Sequence, residues 1–278
     1  MYSKRHKSEQ PPTTLEKNDI EELHYICPID NLRSVLTKGI LSHKRASKLN
    51  NHVDVSNDEI QSRRVKVRIQ RTDETKGKLA LHRHAVLYLN AHNAMMYNLA
   101  KQTNHCCYVG HDKLCVLRIH REILDRGDAM LSSQNASTDA VTFFSSTKNP
   151  LYSRESTPFL TQPRVEGFDK SGQQIRQAEV LLPYEINPSY IGGIFVSSED
   201  TQNIVQAIIN ELKEDHLLEG KKQLSINVHS SLFFQGRTRF VSLEPFDPLP
   251  SLTDEQQNLL VSELPESDDD LPDYQCRK

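Results

Sequence analysis

The sequence predicts an α+β protein. Its 278 residues hold about seven short apolar runs bounded by Pro, Gly and polar clusters, which read as strands. Few stretches have helical spacing, and they do not alternate regularly with the strands, as a doubly wound sheet would require. Neither G-x-G-x-x-G nor G-x-x-x-x-G-K-[ST] occurs, so neither a Rossmann nor a P-loop nucleotide site is supported.

Residues 1–18 are polar, contain Pro11-Pro12, and are expected to be disordered. Glu22 to Cys27 reads as a strand ending at Pro28. Asp30 then looks like a helix N-cap, Leu32, Val35 and Leu36 share one face, and Gly39 sits where a helix C′ glycine belongs. Residues 43–81 are hydrophilic and weakly periodic, and a stretch this long in a compact domain is functional or disordered. It carries Arg63-Arg64, Lys66, Arg68 and Arg71. Ala85 to Leu89 is a buried strand. A short helix follows with Met95, Met96, Leu99 and Ala100, then a strand from Leu114 to Leu117 and a helical turn closed by Gly127.

Leu131 to Ser137 is a loop of small residues, and Val141 to Phe144 a short strand. Residues 145–175 are long and irregular. Val180, Leu181 and Leu182 form a buried strand that Pro183 ends and Glu179 opens. Ile191 to Val196 is a strand interrupted by Gly192-Gly193. Asp200 or Thr201 caps the clearest helix, whose apolar face is Ile204, Val205, Ile208, Ile209 and Leu212. Leu224 to Val228 alternates as a half-buried strand, and Arg239 to Leu243 is expected to be the last.

The net charge of −3 hides an asymmetry. Arg63 to Arg126 holds 13 Lys and Arg against 5 Asp and Glu, a net +8; Glu244 to Lys278 holds 2 against 10, a net −8. The basic block either attracts an anionic polymer or is balanced elsewhere in the fold. The acidic, Pro-containing tail over 244–278 is expected to be disordered, and could compete in cis for a nucleic-acid groove. The five cysteines contain no C-x-x-C pair, which argues against a disulfide framework or a zinc site and for a reducing cytoplasm. No window approaches a membrane span, and no secretory signal is visible.

A carboxylate at the head of an apolar strand loses solvation. Glu179 therefore pairs with a nearby Arg or Lys, or is put to use. His24 is either a satisfied core histidine or a ligand. His82-x-His84 has same-face spacing for a metal but lacks a third ligand at suitable spacing. No cysteine shows the His partner or helix N-terminus that would make it a nucleophile.

The order and wording of these stretches carry more than any one alone. Leu23-His24-Tyr25-Ile26, Ile29-Asp30-Asn31-Leu32 and Gly39-Ile40-Leu41-Ser42-His43 resemble the opening of the DarT family of DNA ADP-ribosyltransferase toxins. Ile60-Gln61-Ser62-Arg63-Arg64 resembles that family's I-Q-x-R-R segment. Leu81-His82 with Leu87 to Tyr97, Asn135-Ala136-Ser137, and Gln177-Ala178-Glu179-Val180-Leu181-Leu182 resemble three further segments, in the family's order. There are departures. His92 stands for an arginine, and Arg83-His84 replaces Asp-Tyr. Pro28 stands where some relatives have a second histidine, and His24 lies one residue further from Asn31-Leu32 than in those relatives.

The resemblance implies an ADP-ribosyltransferase domain over 19–243, with two small β-sheets around a nicotinamide adenine dinucleotide (NAD) cleft and helices outside. It implies transfer of ADP-ribose from NAD to a base of single-stranded DNA, thymidine in most relatives and guanosine in some. Glu179 and Arg64 are then catalytic, and His24, Asn31, Leu32, Arg64 and Tyr88 bind NAD. The implied partner is a DarG-type macrodomain antitoxin. Two other classes stay open: transfer to RNA or protein, and a catalytically dead nucleic-acid-binding module on the same fold.

Overall fold

The computed structural model describes residues 20–72, 77–101, 108–145, 177–218, 224–234, 247 and 249–262. The expected N-terminal disorder, the expected strand at Arg239 and nearly all of the irregular stretch 145–175 lie outside these residues. The strands are β1 (Glu22–Pro28), β2 (Ile40–Leu41), β3 (Arg68–Gln70), β4 (Lys78–Ala80), β5 (His84–Tyr88), β6 (Leu114–His120), β7 (Met130–Ser132), β8 (Phe143–Ser145), β9 (Glu179–Pro183), β10 (Glu185–Ile186), β11 (Ile191–Val196) and β12 (Ser225–Val228). The helices are α1 (Ile29–Lys38), α2 (His43–Ala46), α3 (Asp58–Arg64), α4 (Ala94–Ala100), α5 (Glu199–Glu214) and α6 (Asp254–Ser262).

Eight strands form one sheet in the order β12-β11-β6-β1-β5-β9-β7-β8, and β2 with β10 and β3 with β4 form two-stranded ribbons. The α+β class therefore stands, with one large sheet in place of the two small ones expected. The reason is a single bridge, His24 opposite Tyr88, which joins β1 to β5; β1 pairs with β6 over its whole length.

One face of the sheet is covered by α1 and α5, whose Leu32, Leu36, Val205, Ile209 and Leu212 pack on Leu23, Leu117, Val180 and Leu182. The other face carries α4 and the 3-10 turn Ser230–Phe233, through Met96, Leu99 and Phe233 against Ile26, Tyr88 and Val116. Gly39 ends α1 at φ +90°, and a Cβ there would come within 2.2 Å of the Ile186 carbonyl oxygen, so only glycine fits.

Four local expectations shift. Asp30 is not the N-cap of α1 but lies in its first turn, after Pro28, because the helix starts directly from the end of β1. The N-cap of α5 is Ser198, which accepts from the Thr201 amide, and Ile204 is half exposed because the buried stripe runs through Thr201, Val205, Ile209 and Leu212. The strand β12 exists, but its side chains are mostly exposed, since it is the edge strand. The acidic tail is not unstructured over its described part. Thr253 and Gln256 form a reciprocal capping box at the start of α6, Leu260 is buried, and Gln257 donates to Asp125. A capping box and one apolar anchor outweigh composition here. Leu252 and Leu260 join the core beneath α1 and α5, on the sheet face opposite α4. No helix among the described residues is long and apolar enough to cross a membrane.

Candidate active site

The sheet opens where β1 leaves β5. Continuing the antiparallel register past His24 and Tyr88 would pair Ile26 with Val86 and Pro28 with His84. All four instead line a cavity of about 410 Å³. The strands supply one wall with Tyr25 and Tyr88, α4 adds Met95 and Leu99, and α3 with its preceding loop closes the far side through Val53, Asp54, Asn57, Gln61 and Arg64.

Glu179 stands behind this cavity. It faces Tyr88 across the β5–β9 ladder and is fully buried. Nη1 of Arg64 donates to both carboxylate oxygens, at 3.2 and 3.3 Å, and the Ala136 amide donates to Oε2 at 3.2 Å. Ser132 pins the backbone beneath it: the Glu179 amide donates to Ser132 Oγ at 3.0 Å, and that hydroxyl donates to the Gln134 carbonyl at 2.6 Å. The small-residue loop seen in the sequence is therefore the cradle of the carboxylate. Asn135 lines the cavity, its Oδ1 accepting from the Ser137 amide and hydroxyl. The ion-pair reading of Glu179 holds, and its partner Arg64 is itself a cavity residue.

Arg64 ends α3 and is buried, with Nη2 lacking a hydrogen-bond partner among the described residues. A buried guanidinium with one uncommitted end is suited to a phosphate or a developing negative charge. Tyr88 donates its hydroxyl to Met95 Sδ at 2.9 Å, and burial pushes its phenol pKa well above the usual range. Asn31 lines the cavity and clamps its opposite rim: the side-chain amide donates to the Val53 carbonyl at 2.8 Å and accepts from the Val53 amide at 2.9 Å.

Two expected site residues are placed elsewhere. Leu32 is fully buried in the core under α1, so its side chain does not line the cavity. His24 does not line it either. Its Nε2 bonds Glu22 Oε1 at 3.1 Å, beside the buried Glu22–Arg118 pair, and its ring stacks near Phe195. Burial raises the Glu22 pKa, but the bonds from His24 and Arg118 outweigh it and hold the carboxyl below its ordinary value. The β1 residues that do line the cavity are Tyr25, Ile26 and Pro28, of which Tyr25 is one position closer to Asn31-Leu32 than His24. The signal was present in the spacing. The histidine was in the sequence, but the strand turns its neighbour to the cleft.

The rest of the wall carries histidines. His84 is neutral: burial lowers its pKa to about 4 against the hydrogen bond at Ala80 O, 3.0 Å away. His43 is also lowered, by burial first, with Asp54 opposing, and then by His52 and Arg64. Among the described residues no His, Cys, Asp and Glu cluster could hold a metal. His92, at the position of the family arginine, is stacked on Phe234 at 3.7 Å.

The model of a family described as "ssDNA thymidine ADP-ribosyltransferase, DarT" matches residues 24–234. A DNA ADP-ribosyl transferase–DNA ADP-ribosyl glycohydrolase fusion protein of Thermosipho africanus is 30% identical over 192 residues, covering 68% of this chain and 46% of the relative. The chain thus spans less than half the length of that relative. Two solved structures share the fold. Thermus sp. 2.9 DarT in complex with ADP-ribosylated ssDNA has a TM-score of 0.63 at 16% identity, over 77% of this chain and 96% of that one. The same protein in complex with NAD+ has a TM-score of 0.58 at 13% identity, over 77% and 98%. With its family model matched from the first strand to the end of the 3-10 turn beside α4, this chain belongs to the DarT family.

Proposed function

We propose that this chain transfers ADP-ribose from NAD to a base of single-stranded DNA, thymidine first and guanosine second, releasing nicotinamide. The observation that carries the reading is the buried Glu179 carboxylate held against Arg64 at a cavity opened by the β1–β5 split. Breaking the nicotinamide–ribose bond builds positive charge on the sugar. A fixed carboxylate that accepts from the ribose 2′-hydroxyl stabilises that charge without reorganising in the transition state. Arg64 holds the Glu179 carboxylate in place and presents Nη2 to the pyrophosphate or the incoming base; a guanidinium is a poor base, so its part is positioning and charge.

Tyr88 and Tyr25 offer aromatic surface to the nicotinamide. Asn31 acts by holding the rim at Val53. The proton on the attacking ring nitrogen leaves toward water or a neutral cavity histidine. A base in duplex DNA has this nitrogen paired, which is why a single strand is the substrate.

The catalytic unit runs over 19–243, with α6 as a brace behind it. Its partner is a macrodomain of the DarG type, since the fusion relative carries a DNA ADP-ribosyl glycohydrolase on the same chain. The reading places the reaction in the cytoplasm. The test is incubation with labelled NAD and a panel of single-base-type DNA oligomers, RNA and protein. Label is expected on thymine-containing single strands; label confined to protein or RNA, or nicotinamide release with no labelled acceptor, would overturn it.

A further inference from the structure

Two buried polar atoms on α3 have no hydrogen-bond partner among the described residues: Arg64 Nη2 and Gln61 Oε1. Gln61 and Arg64 are three residues apart, so they share one face of the helix, and both line the cavity. Helix α3 is open to solvent at Ser62 and Arg63, and Arg63 also borders the cavity. The helix is therefore a thin wall between the partner of Glu179 and the outside. The β1 and β5 wall presents Tyr25, Ile26, Val86 and Tyr88 beside His84, a largely apolar and aromatic surface suited to a flat nicotinamide. A polymer too large to enter the cavity must bring its base to the sugar over the α3 side.

We propose that Gln61 reads the acceptor base, by hydrogen-bonding the group that flanks the attacking ring nitrogen while Arg64 Nη2 donates to the group on its other side. This rests on the function proposed above and goes further, to a residue that reads the edge of the base. Arg64 is donor-only, so it requires a carbonyl. Thymine places a carbonyl on each side of its ring N–H. Guanine places a carbonyl on one side and an amino group on the other. Cytosine and adenine carry no ring N–H at that edge. The Gln61 amide offers a donor at one end and an acceptor at the other, and no bond to Oε1 fixes which end faces the base. It meets the thymine carbonyl with Nε2–H and, turned over, the guanine amino group with Oε1.

The two bases separate when the amide is replaced. Gln61→Glu presents acceptors only. It opposes the thymine carbonyl and still accepts from the guanine amino group. Gln61→Leu fills the same space and bonds neither.

The full chain, as wild type and as these two variants, is assayed with labelled NAD and two single-stranded oligomers whose only reactive base is thymine or guanine. Gln61→Leu is expected to lower kcat/KM for thymine transfer about tenfold or more, the size of one base-edge contact, with KM for NAD moved less than about twofold. Gln61→Glu is expected to shift the thymine-to-guanine ratio toward guanine by about tenfold. A ratio unmoved in both variants, or a loss carried by KM for NAD, overturns the role of Gln61 while the wild type still labels DNA. A wild type that labels neither oligomer overturns the proposed function, and the role of Gln61 with it.

Discussion

Glu179 and Arg64 are both buried, so removing either charge affects folding as well as chemistry. Glu179→Ala would leave the Arg64 guanidinium buried and unpaired, at a cost of about 3–5 kcal/mol. Glu179→Gln keeps an acceptor for Arg64 and for the Ala136 amide. It is expected to lower transfer by about 10²–10³ while melting closer to wild type than Glu179→Ala does. Thermal unfolding and transfer rates measured on both variants check this; near-normal turnover in Glu179→Gln would remove Glu179 from the chemistry. Arg63 is half exposed at the cavity's edge and pairs with the exposed Glu59 four residues back, not with Glu179, so Arg63→Ala should cost far less activity than Arg64→Ala. Tyr25→Ala should raise KM for NAD, whereas His24→Ala, whose ring bonds Glu22 and does not line the cavity, should show itself in Tm. The reverse pattern would return His24 to the site.

The clamp of Asn31 on Val53 joins α1 to the loop before α3 through two hydrogen bonds, each worth about 1 kcal/mol. Asn31→Ala should therefore loosen the rim and raise KM for NAD with a smaller effect on kcat, as initial-rate kinetics would show. His84 sits where a 3-10 turn (Leu81–Arg83) enters β5. Its folded pKa of about 4 lies below the unfolded value of about 6.5, so the unfolded chain binds the proton more tightly. The stability that follows is fully present above about pH 6.5 and is lost as pH falls toward 4, at up to about 1.4 kcal/mol per pH unit. Glu22, also lowered, adds its own loss only further down, as pH falls through its folded pKa. Melting curves from pH 7.5 to 5 should show Tm falling, and His84→Gln should flatten that slope. Equal slopes would mean the unfolding proton is taken up elsewhere.

For the whole molecule, the net +8 over Arg63–Arg126 overstates the basic surface. Arg64, Arg83, Arg118 and Arg126 are buried, and three of them are paired with Glu179, Glu22 and Asp128. Lys66, Arg68, Lys78 and Lys113 remain exposed. Single-stranded DNA binding should still weaken with salt, with a log–log slope of about −0.7 for each phosphate contact. A slope near zero in a titration at several salt concentrations would remove the electrostatic groove. The docking of Asp247 and of 249–262 also changes the expectation for the tail. Its described part lies against Glu122, Asp125 and the core under α1 and α5, not over the cavity. Deleting 249–278 should lower Tm by exposing that core, with no tightening of DNA binding contributed by α6; a truncated protein of unchanged Tm would show that the brace adds nothing.

Local patterns settled a good deal by themselves. Gly39 after an apolar face stops α1, Pro183 ends the β9 run, and the order of the quoted segments marks the family. These are short-range effects, since caps, breakers and period are written in neighbouring residues. What the chain alone did not decide depends on distant residues meeting. Glu179 acquires its partner from 115 positions away, and the cavity exists because β1 and β5 share one bridge. The point at which β1 leaves β5 put Tyr25 and Ile26 but not His24 on the wall, and buried ion pairs cancelled part of the basic block. Periodicity shows that a residue alternates sides of a strand. Which side faces a cleft, and which charges are neutralised, is fixed only when sheets and helices close around one another.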